Sequence, residues 1–272
     1  MIRVTINMRY IQNVFYFLAF FLSGLCLKAQ TFEIGVTGGG AGYIGDLNQS
    51  SPFKLSGISA GAFVKMNLDP YWVLGVHYNY GKIKSDDANS ANEHFRDRNI
   101  NFHTPINEAS LQLDFNFLDY FAGGGFKQFT PYIYAGLGGI LFNPKATYEG
   151  NEYDLRFYAT EGQTKAYKNY AIAIPYGVGM KFRLTESWGL STQLGYRTVN
   201  TDYLDDVSNR YPGPGSWDDR DNAAISEFLS DPSTALIGAA GTQRGDFRKR
   251  DTYMFVGIGI SFTFVSQKCY TF

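Results

Sequence analysis

Apolar and polar residues alternate strictly along several segments of the chain. In Ile106–Phe117, INEASLQLDFNF, the odd positions from Ala109 onward are apolar and the even positions from Glu108 to Asn116 are polar. Successive side chains of a strand point to opposite faces, so this period of two predicts a strand with one apolar face. Such a strand fits the half-buried sheet of a soluble protein, and it also fits a transmembrane barrel with lipid outside and a polar lumen inside.

The same alternation predicts eight strands, each long enough to cross a bilayer at a tilt. No segment shows a sustained helical period. The predicted strands are Phe32–Gly40, Leu55–Met66, Trp72–Tyr80, Ile106–Phe117, Thr130–Phe142, Ile174–Leu184, Trp188–Arg197 and Tyr253–Phe264.

The connections between these strands differ systematically in length. NLDPY joins the second strand to the third, TESW joins the sixth to the seventh, and DYFAGGGFKQ between the fourth and fifth is of modest length. Every other connection is longer, and the longest covers about 199–250. Short turns on one side and long loops on the other are typical of outer-membrane barrels. The sequence therefore predicts an all-β fold, an eight-stranded antiparallel up-and-down transmembrane β-barrel with short periplasmic turns and long extracellular loops.

Composition favours the membrane interpretation over the soluble one. Charged residues make up 18% of the chain and aromatic residues 17%, with 30 glycines, whereas a soluble domain carries roughly 25% charged residues. The net charge of −1 provides no basic face for phosphates, so nucleic acid is not expected as a partner.

Charged residues on the lumen face nearly balance. Eight strands enclose an interior that side chains can fill, and buried charges persist when they are paired. We therefore predict an ionic network that closes the lumen, with an ion path lined by these charges as the alternative. The network comprises Glu33, Lys65, Glu108, Asp114, Lys181, Arg183 and Arg197.

The first thirty residues have the organisation of a secretory signal peptide. Arg3 and Arg9 precede the apolar run Val14–Leu27, which is too short for a comfortable transmembrane helix. Cleavage is predicted near Ala29 or Gln30. The predicted division is 1–30 as signal peptide, 31–264 as outer-membrane barrel and 265–272 as a short periplasmic tail.

The sequence contains no convincing catalytic, cofactor or metal motif. Gly40, Gly42 and Gly45 have G-x-G-x-x-G spacing, but no helix pattern follows them. His77 is predicted to be a satisfied polar group inside the barrel. Acid pairs in the long loops offer oxygen ligands for calcium, although solvated loop charge is the favoured interpretation. These pairs are Asp86–Asp87, Asp205–Asp206 and Asp218–Asp219.

Cys269 is the only cysteine that remains after removal of the signal peptide. A single leftover cysteine in an exported protein indicates a reactive thiol or a bond to another chain. An unpaired cysteine in a short tail is the simpler alternative.

Three stretches resemble the PorG-type barrels of the Bacteroidetes type IX secretion system. They are TFEIGVTGGGAGYIGDLN at the mature N-terminus, TDYLDDVSNRY at Thr201–Tyr211, and the final DTYMFVGIGISFTFVSQKCY. The resemblance implies an outer-membrane barrel, in cells that often glide, that works with a periplasmic ring made of a lipoprotein and its partner. The single leftover thiol and its predicted periplasmic position lead to the hypothesis that Cys269 forms an intermolecular disulfide with the ring lipoprotein.

A closed eight-stranded barrel is too narrow to conduct folded cargo, so the expected role is anchoring or scaffolding of the ring. The alternatives are a general adhesion or stability barrel and, with less support, an outer-membrane enzyme that modifies lipid or peptide. An enzyme would need a polar catalytic cluster at the barrel rim, and the sequence offers none.

Overall fold

Eight antiparallel strands close into a barrel in the computed structural model, which describes residues 31–49, 51–121, 126–218, 220–245 and 248–264. The described strands are β1 (Thr31–Ile44), β2 (Leu55–Asn67), β3 (Trp72–Asp86), β4 (Asn101–Asn116), β5 (Phe129–Phe142), β6 (Lys145–Tyr148), β7 (Asn151–Asp154), β8 (Tyr170–Arg183), β9 (Trp188–Val199) and β10 (Thr252–Thr263).

The barrel wall has up-and-down topology. Each strand pairs with its neighbour in the order β1-β2-β3-β4-β5-β8-β9-β10, and β10 pairs with β1 to close the ring. The remaining strands, β6 and β7, form a hairpin that touches β4 through the pair His103–Lys145. The fold predicted from the alternation, a closed eight-stranded antiparallel barrel, is confirmed.

The two ends of the barrel differ in the length of their connections. Residues 68–71, 117–128 and 184–187 connect strands at one end, which we call the short-turn end. Residues 45–54, 87–100, 143–169 and 200–251 connect strands at the other, the long-loop end. The long loops contain helices α1 (Glu93–Arg98) and α2 (Ala223–Ser230), as well as the β6–β7 hairpin.

Glycine on the inner face makes room for large aromatic side chains in the narrow interior. A Cβ atom at Gly179 would lie 2.5 Å from the ring of Tyr132, and one at Gly195 would lie 1.7 Å from the hydroxyl of Tyr134. Both tyrosines are buried. The missing side chains on β8 and β9 therefore allow two rings from β5 to fill the lumen.

The polarity of the two faces inverts near the long-loop end of β3 and β4. Between the short-turn end and Gly81, the side chains of Val76 and Tyr80 on β3 point outward and that of His77 points inward. Between Gly81 and the long-loop end, Ile83 points inward. The partner strand changes at the same level, since Tyr80 pairs with Asn107 and Gly81 with Ile106. On these two strands, the part toward the short-turn end has an apolar outer face and a mostly polar inner face, and the part beyond Gly81 has the reverse.

The hydrophobic core lies toward the long-loop end of the barrel and under the long loops. We call the described residues of the segment 200–251 the loop cap; they are 200–218, 220–245 and 248–251. The loop cap contributes Leu204, Val207 and Leu229 to this core. The barrel strands contribute inward side chains from their upper ends, including Ile83 and Phe102. Burial of apolar area therefore holds the loop cap across the barrel mouth.

Candidate functional site: the closed lumen and its loop cap

Asp114 is the centre of one charge cluster in the lumen. Its Oδ2 atom accepts hydrogen bonds from Lys65 Nζ at 2.9 Å and from Lys181 Nζ at 2.8 Å. Lys181 also donates to Asn116 Oδ1 at 3.0 Å, and both ammonium groups lie over the ring of Tyr132. All three charged side chains are buried. The cluster joins β2, β4 and β8 across the interior.

Glu108 forms a second cluster, closer to the long loops. Arg197 Nε donates to Glu108 Oε2 at 3.1 Å, and the Tyr253 hydroxyl donates to the same oxygen at 2.6 Å. Asn79 and Ser110 donate to Oε1 at 3.1 and 3.0 Å. Glu108 and Arg197 are both fully buried. The carboxylate therefore has four donors, from β3, β4, β9 and β10.

Glu33 and Arg183 lie nearer the short-turn end. Glu33 is buried on β1 and pairs in register with Lys65 on β2. Arg183 is half-buried at the end of β8. The structure thus joins Lys65, Asp114 and Lys181 in one ion cluster and places Glu108 and Arg197 in another, with Glu33 beside the first.

His77 points into the lumen, as its position in the alternation indicates. It is buried and its ring is stacked on that of Phe63, with the centroids 5.5 Å apart. Its Nε2 atom has no hydrogen-bond partner among the described residues. The expectation that His77 is a satisfied polar group therefore does not hold for Nε2 among the described residues, and the contact that the structure shows for the ring is the stacked Phe63.

The loop cap is fastened by two buried arginines. Arg98 of α1 binds Asp87 through Nε at 2.6 Å and Nη2 at 3.0 Å, the bidentate geometry that arginine forms with carboxylates. Its Nη1 atom donates to the carbonyl of Arg244 in the loop cap at 2.9 Å. Arg98 therefore ties the loop between β3 and β4 to the loop cap.

Arg244 is the second fastening. Its Nη1 atom donates to Glu161 Oε1 at 3.3 Å and to the carbonyl of Asp206 at 2.6 Å, while Nε donates to the carbonyl of Ser230. The Asp206 carboxylate accepts from the Tyr167 hydroxyl at 2.6 Å. These contacts connect the loop cap to the loop between β5 and β8.

Asp205 and Asp251 lie close together on the buried side of the loop cap. The Tyr43 hydroxyl and the Val207 amide donate to Asp205, and the Leu204 amide donates to Asp251. Burial raises the pKa of Asp205 to about 7, and burial together with the neighbouring Asp205 raises the pKa of Asp251 above its usual range. The pair therefore holds protons at a pH where exposed aspartates are ionised.

These positions correct the expectation for the acid pairs. Asp205 and Asp206 are both fully buried, and Asp87 is buried against Arg98, so solvated loop charge is the wrong interpretation for them. Asp86 and Asp218 are exposed. Leu204 and Val207 flank the acidic pair in YLDDVS and are fully buried, so this apolar flanking pattern is the sequence signal for its burial.

Two stretches of the family resemblance meet here. Tyr43, from YIGDL, donates its hydroxyl hydrogen bond to Asp205, from YLDDVS. Tyr43 also packs edge-on against Phe102 with the ring centroids 5.0 Å apart. These motifs therefore have a structural role in fixing the loop cap to the barrel.

Acidification is expected to tighten the loop cap. A carboxyl whose folded pKa is raised adds stability that is fully present below its unfolded pKa, near 4, and is lost as pH rises through about 7. Hydrogen exchange of the Leu204 and Val207 amides, corrected for the intrinsic pH dependence, should show at least about tenfold more protection at pH 5 than at pH 8, the equivalent of one pKa unit.

Asp205→Asn should abolish most of this pH dependence, because the amide is neutral at both pH values. The exposed Asp218→Asn variant is the matched control and should retain it. Equal protection at both pH values in the unmodified chain would contradict the raised pKa of this pair.

The described part of the chain contains no candidate metal site. No group of three or more His, Cys, Asp or Glu side chains there has the arrangement of a metal site. Within the same residues, none of the helices has the length and apolarity to cross a membrane. Cys269, the signal peptide 1–30 and the tail 265–272 lie outside the described residues.

Comparisons with solved structures find other barrels at low identity. The chain is similar to Neisserial surface protein A (TM-score 0.44, 10% identity, 86% of this chain and 97% of that chain). It is also similar to Ail of Yersinia pestis bound to the heparin analogue sucrose octasulfate (0.41, 8%, 87% and 100%). A third is the N-terminal barrel domain of Pseudomonas aeruginosa OprF (0.38, 14%, 86% and 97%).

Comparison with curated proteins finds no significant match. A family model matches residues 12–213, and its description is DUF6089, a domain of unknown function. The match begins before β1 and ends inside the loop cap after YLDDVS, so it includes Glu108, Asp114 and the acidic pair of that motif. The chain belongs to the DUF6089 family.

Proposed function

We propose that the protein is a non-enzymatic outer-membrane barrel that anchors or scaffolds the periplasmic ring of a type IX secretion machinery. The closed lumen is the observation that carries this proposal. Two ion clusters and the rings of Tyr132 and Tyr134 fill the interior, and the loop cap covers one mouth. A barrel filled in this way has no path for a protein, so we expect it to act by binding partners at its outer surfaces.

The outer wall supports the membrane location. Val76, Leu137 and Ile258 point outward from the middle of the wall and are 60%, 62% and 60% exposed. Exposed aromatic residues border this apolar belt, with Trp72 and Trp188 toward the short-turn end. Apolar belts between aromatic girdles are characteristic of barrels that span a membrane.

The short-turn end is the surface that we assign to the periplasmic partner. Both barrel termini lie there, since β1 begins and β10 ends at this end. Phe126, in the connection between β4 and β5, is 91% exposed. Large aromatic side chains of this kind are the usual anchors of protein interfaces. The resemblance to PorG-type barrels supplies the identity of the partner, a ring lipoprotein and its companion.

The test is affinity purification of the full-length chain from outer membranes. The ring lipoprotein should co-purify, and Phe126→Ser should reduce its recovery by about tenfold or more, as for an interface anchor. Phe53→Ser is the matched control, because Phe53 is 67% exposed at the opposite end. The same membranes on a non-reducing gel should show an adduct that disappears on reduction and in Cys269→Ser.

Normal recovery of the ring in Phe126→Ser would contradict the assigned anchoring surface. Absence of a reducible adduct would contradict the disulfide. If no periplasmic protein co-purifies with the unmodified chain, the general adhesion or stability barrel replaces the scaffold as the proposed function. Deletion of the tail 265–272 separates the two, since adhesion depends on the long loops.

A further inference from the structure

Three lysines form an outward-facing basic patch immediately above the apolar belt. Lys82 and Lys84 follow Tyr78 and Tyr80 on the outer face of β3. Lys54 precedes β2 and lines the same surface groove as Lys84. The Lys84 amide donates to Ser56 Oγ at 3.2 Å, which holds the end of β3 against this segment. We call Lys54, Lys82 and Lys84 the lysine patch.

The lysine patch lies at the height of lipid headgroups if the apolar belt is embedded, so this inference rests on the proposed membrane location. Tyr78 and Tyr80 are 54% and 41% exposed, and tyrosine marks the boundary between hydrocarbon and headgroups. Lys82 and Lys84 lie two and four residues farther along, a rise of roughly 7 and 14 Å along a tilted strand. The headgroup layer is about 5–8 Å deep, and long lysine side chains reach back into it.

The acidic side chains around the patch are engaged elsewhere. Glu152 pairs with His103 Nε2 at 3.1 Å and with Lys145 at 3.6 Å, and Asp154 pairs with Lys145 at 3.3 Å. Asp86, which lines the groove, accepts hydrogen bonds from the 3₁₀ turn that follows it. No ion pair between described residues includes a member of the lysine patch. Among the described residues these three lysines therefore have no ion-pair partner, and Asp86 contributes the one negative charge that lines the groove.

The groove beside these charges has the size of a ligand site. Its volume is about 800 Å³, and Lys54, Lys84, Asn101 and His103 line it. Ammonium groups and amides are the donors that bind phosphate oxygens. We propose that the lysine patch binds the phosphate groups of a phosphorylated glycolipid in the outer leaflet, with the acyl chains lying along the apolar belt below.

Native mass spectrometry of the mature protein in detergent micelles, titrated with diphosphorylated lipid A, tests this proposal. A basic residue at a membrane surface contributes about a fivefold factor to binding of anionic lipid. Lys54→Gln/Lys82→Gln/Lys84→Gln should therefore weaken binding roughly 100-fold. The control Lys127→Gln/Lys165→Gln/Lys249→Gln makes the same charge change at exposed positions away from the patch and should bind as the unmodified chain does.

Two further arms identify the source of the phosphate. Dephosphorylated lipid A should bind as weakly as the triple variant does, and inorganic phosphate should fail to displace lipid A at equal phosphate concentration. Displacement by inorganic phosphate would show an anion site with no lipid specificity and overturn the proposal. Equal lipid affinity of the patch variant and the control would also overturn it.

The triple variant is purified in parallel for its periplasmic partners. If the triple variant still co-purifies with the ring and binds lipid A as tightly as the unmodified chain does, the lipid inference alone is overturned. Absence of the ring from the unmodified chain overturns the scaffold alone, and the lipid titration remains interpretable.

Discussion

Glu108→Ala is expected to lower the free energy of unfolding by about 3–5 kcal/mol. The substitution removes the carboxylate that accepts from Arg197 and Tyr253 and leaves the fully buried Arg197 without its counter-ion. An uncompensated charge in a buried site costs about this much. Urea unfolding of the barrel refolded into liposomes, followed by tryptophan fluorescence, measures the change.

Two further variants separate the loss of an ion pair from the loss of a side chain. Glu108→Leu/Arg197→Met removes both charges, and it should recover most of the lost stability because no ion remains unpaired. Glu152→Ala removes an exposed carboxylate that also contacts basic side chains, and it should change stability by less than about 1 kcal/mol. A double variant as unstable as Glu108→Ala would show that the cost arises from packing.

Leu137→Arg should destabilise the barrel by about 2–4 kcal/mol in a bilayer, the cost of arginine at the midplane of the lipid face. Leu137 lies in the middle of β5 and is 62% exposed. At an exposed position on a soluble sheet the same change would be nearly neutral, within about 0.5 kcal/mol. The same liposome unfolding experiment therefore tests whether the apolar belt faces lipid.

Leu236→Arg is the matched control for this substitution. Leu236 is 75% exposed in the loop cap, outside the apolar belt, and its replacement should have almost no effect. Equal and small effects at Leu137 and Leu236 would mean that water surrounds the wall. That result would remove the membrane location from the proposed function.

The strands and the lumen positions could be predicted because the alternation of apolar and polar residues shows which face of the strand each side chain occupies. The prediction ended β3 at Tyr80, whereas the strand continues to Asp86. Beyond Gly81 the period persists but the faces exchange polarity, so Lys82 and Ile83 no longer fit the pattern of the preceding residues. A rule that assigns apolar residues to the outside fails where the outer face of the strand becomes polar.

The loop cap shows the other limit. Asp205 and Asp206 look like solvated loop charge, because their burial depends on Tyr43, Arg244 and Tyr167 from distant parts of the chain. The apolar flanks Leu204 and Val207 indicate that this stretch is buried, but the local sequence does not identify these distant partners. The β6–β7 hairpin was missed for a similar reason, since this short element is held against β4 at the barrel rim rather than formed from a strong period of its own.

In the proposed membrane location, the polarity inversion of β3 and β4 at Gly81 gives the barrel a fixed vertical position. Sliding down by one pleat repeat, roughly 7 Å along the strand, would draw Lys82 into hydrocarbon at a cost of up to about 3 kcal/mol. Sliding up by the same amount would bring belt residues such as Val76 toward water. The wall therefore acts as a height reference, and whatever the protein holds above or below the bilayer is held at a constant distance from it.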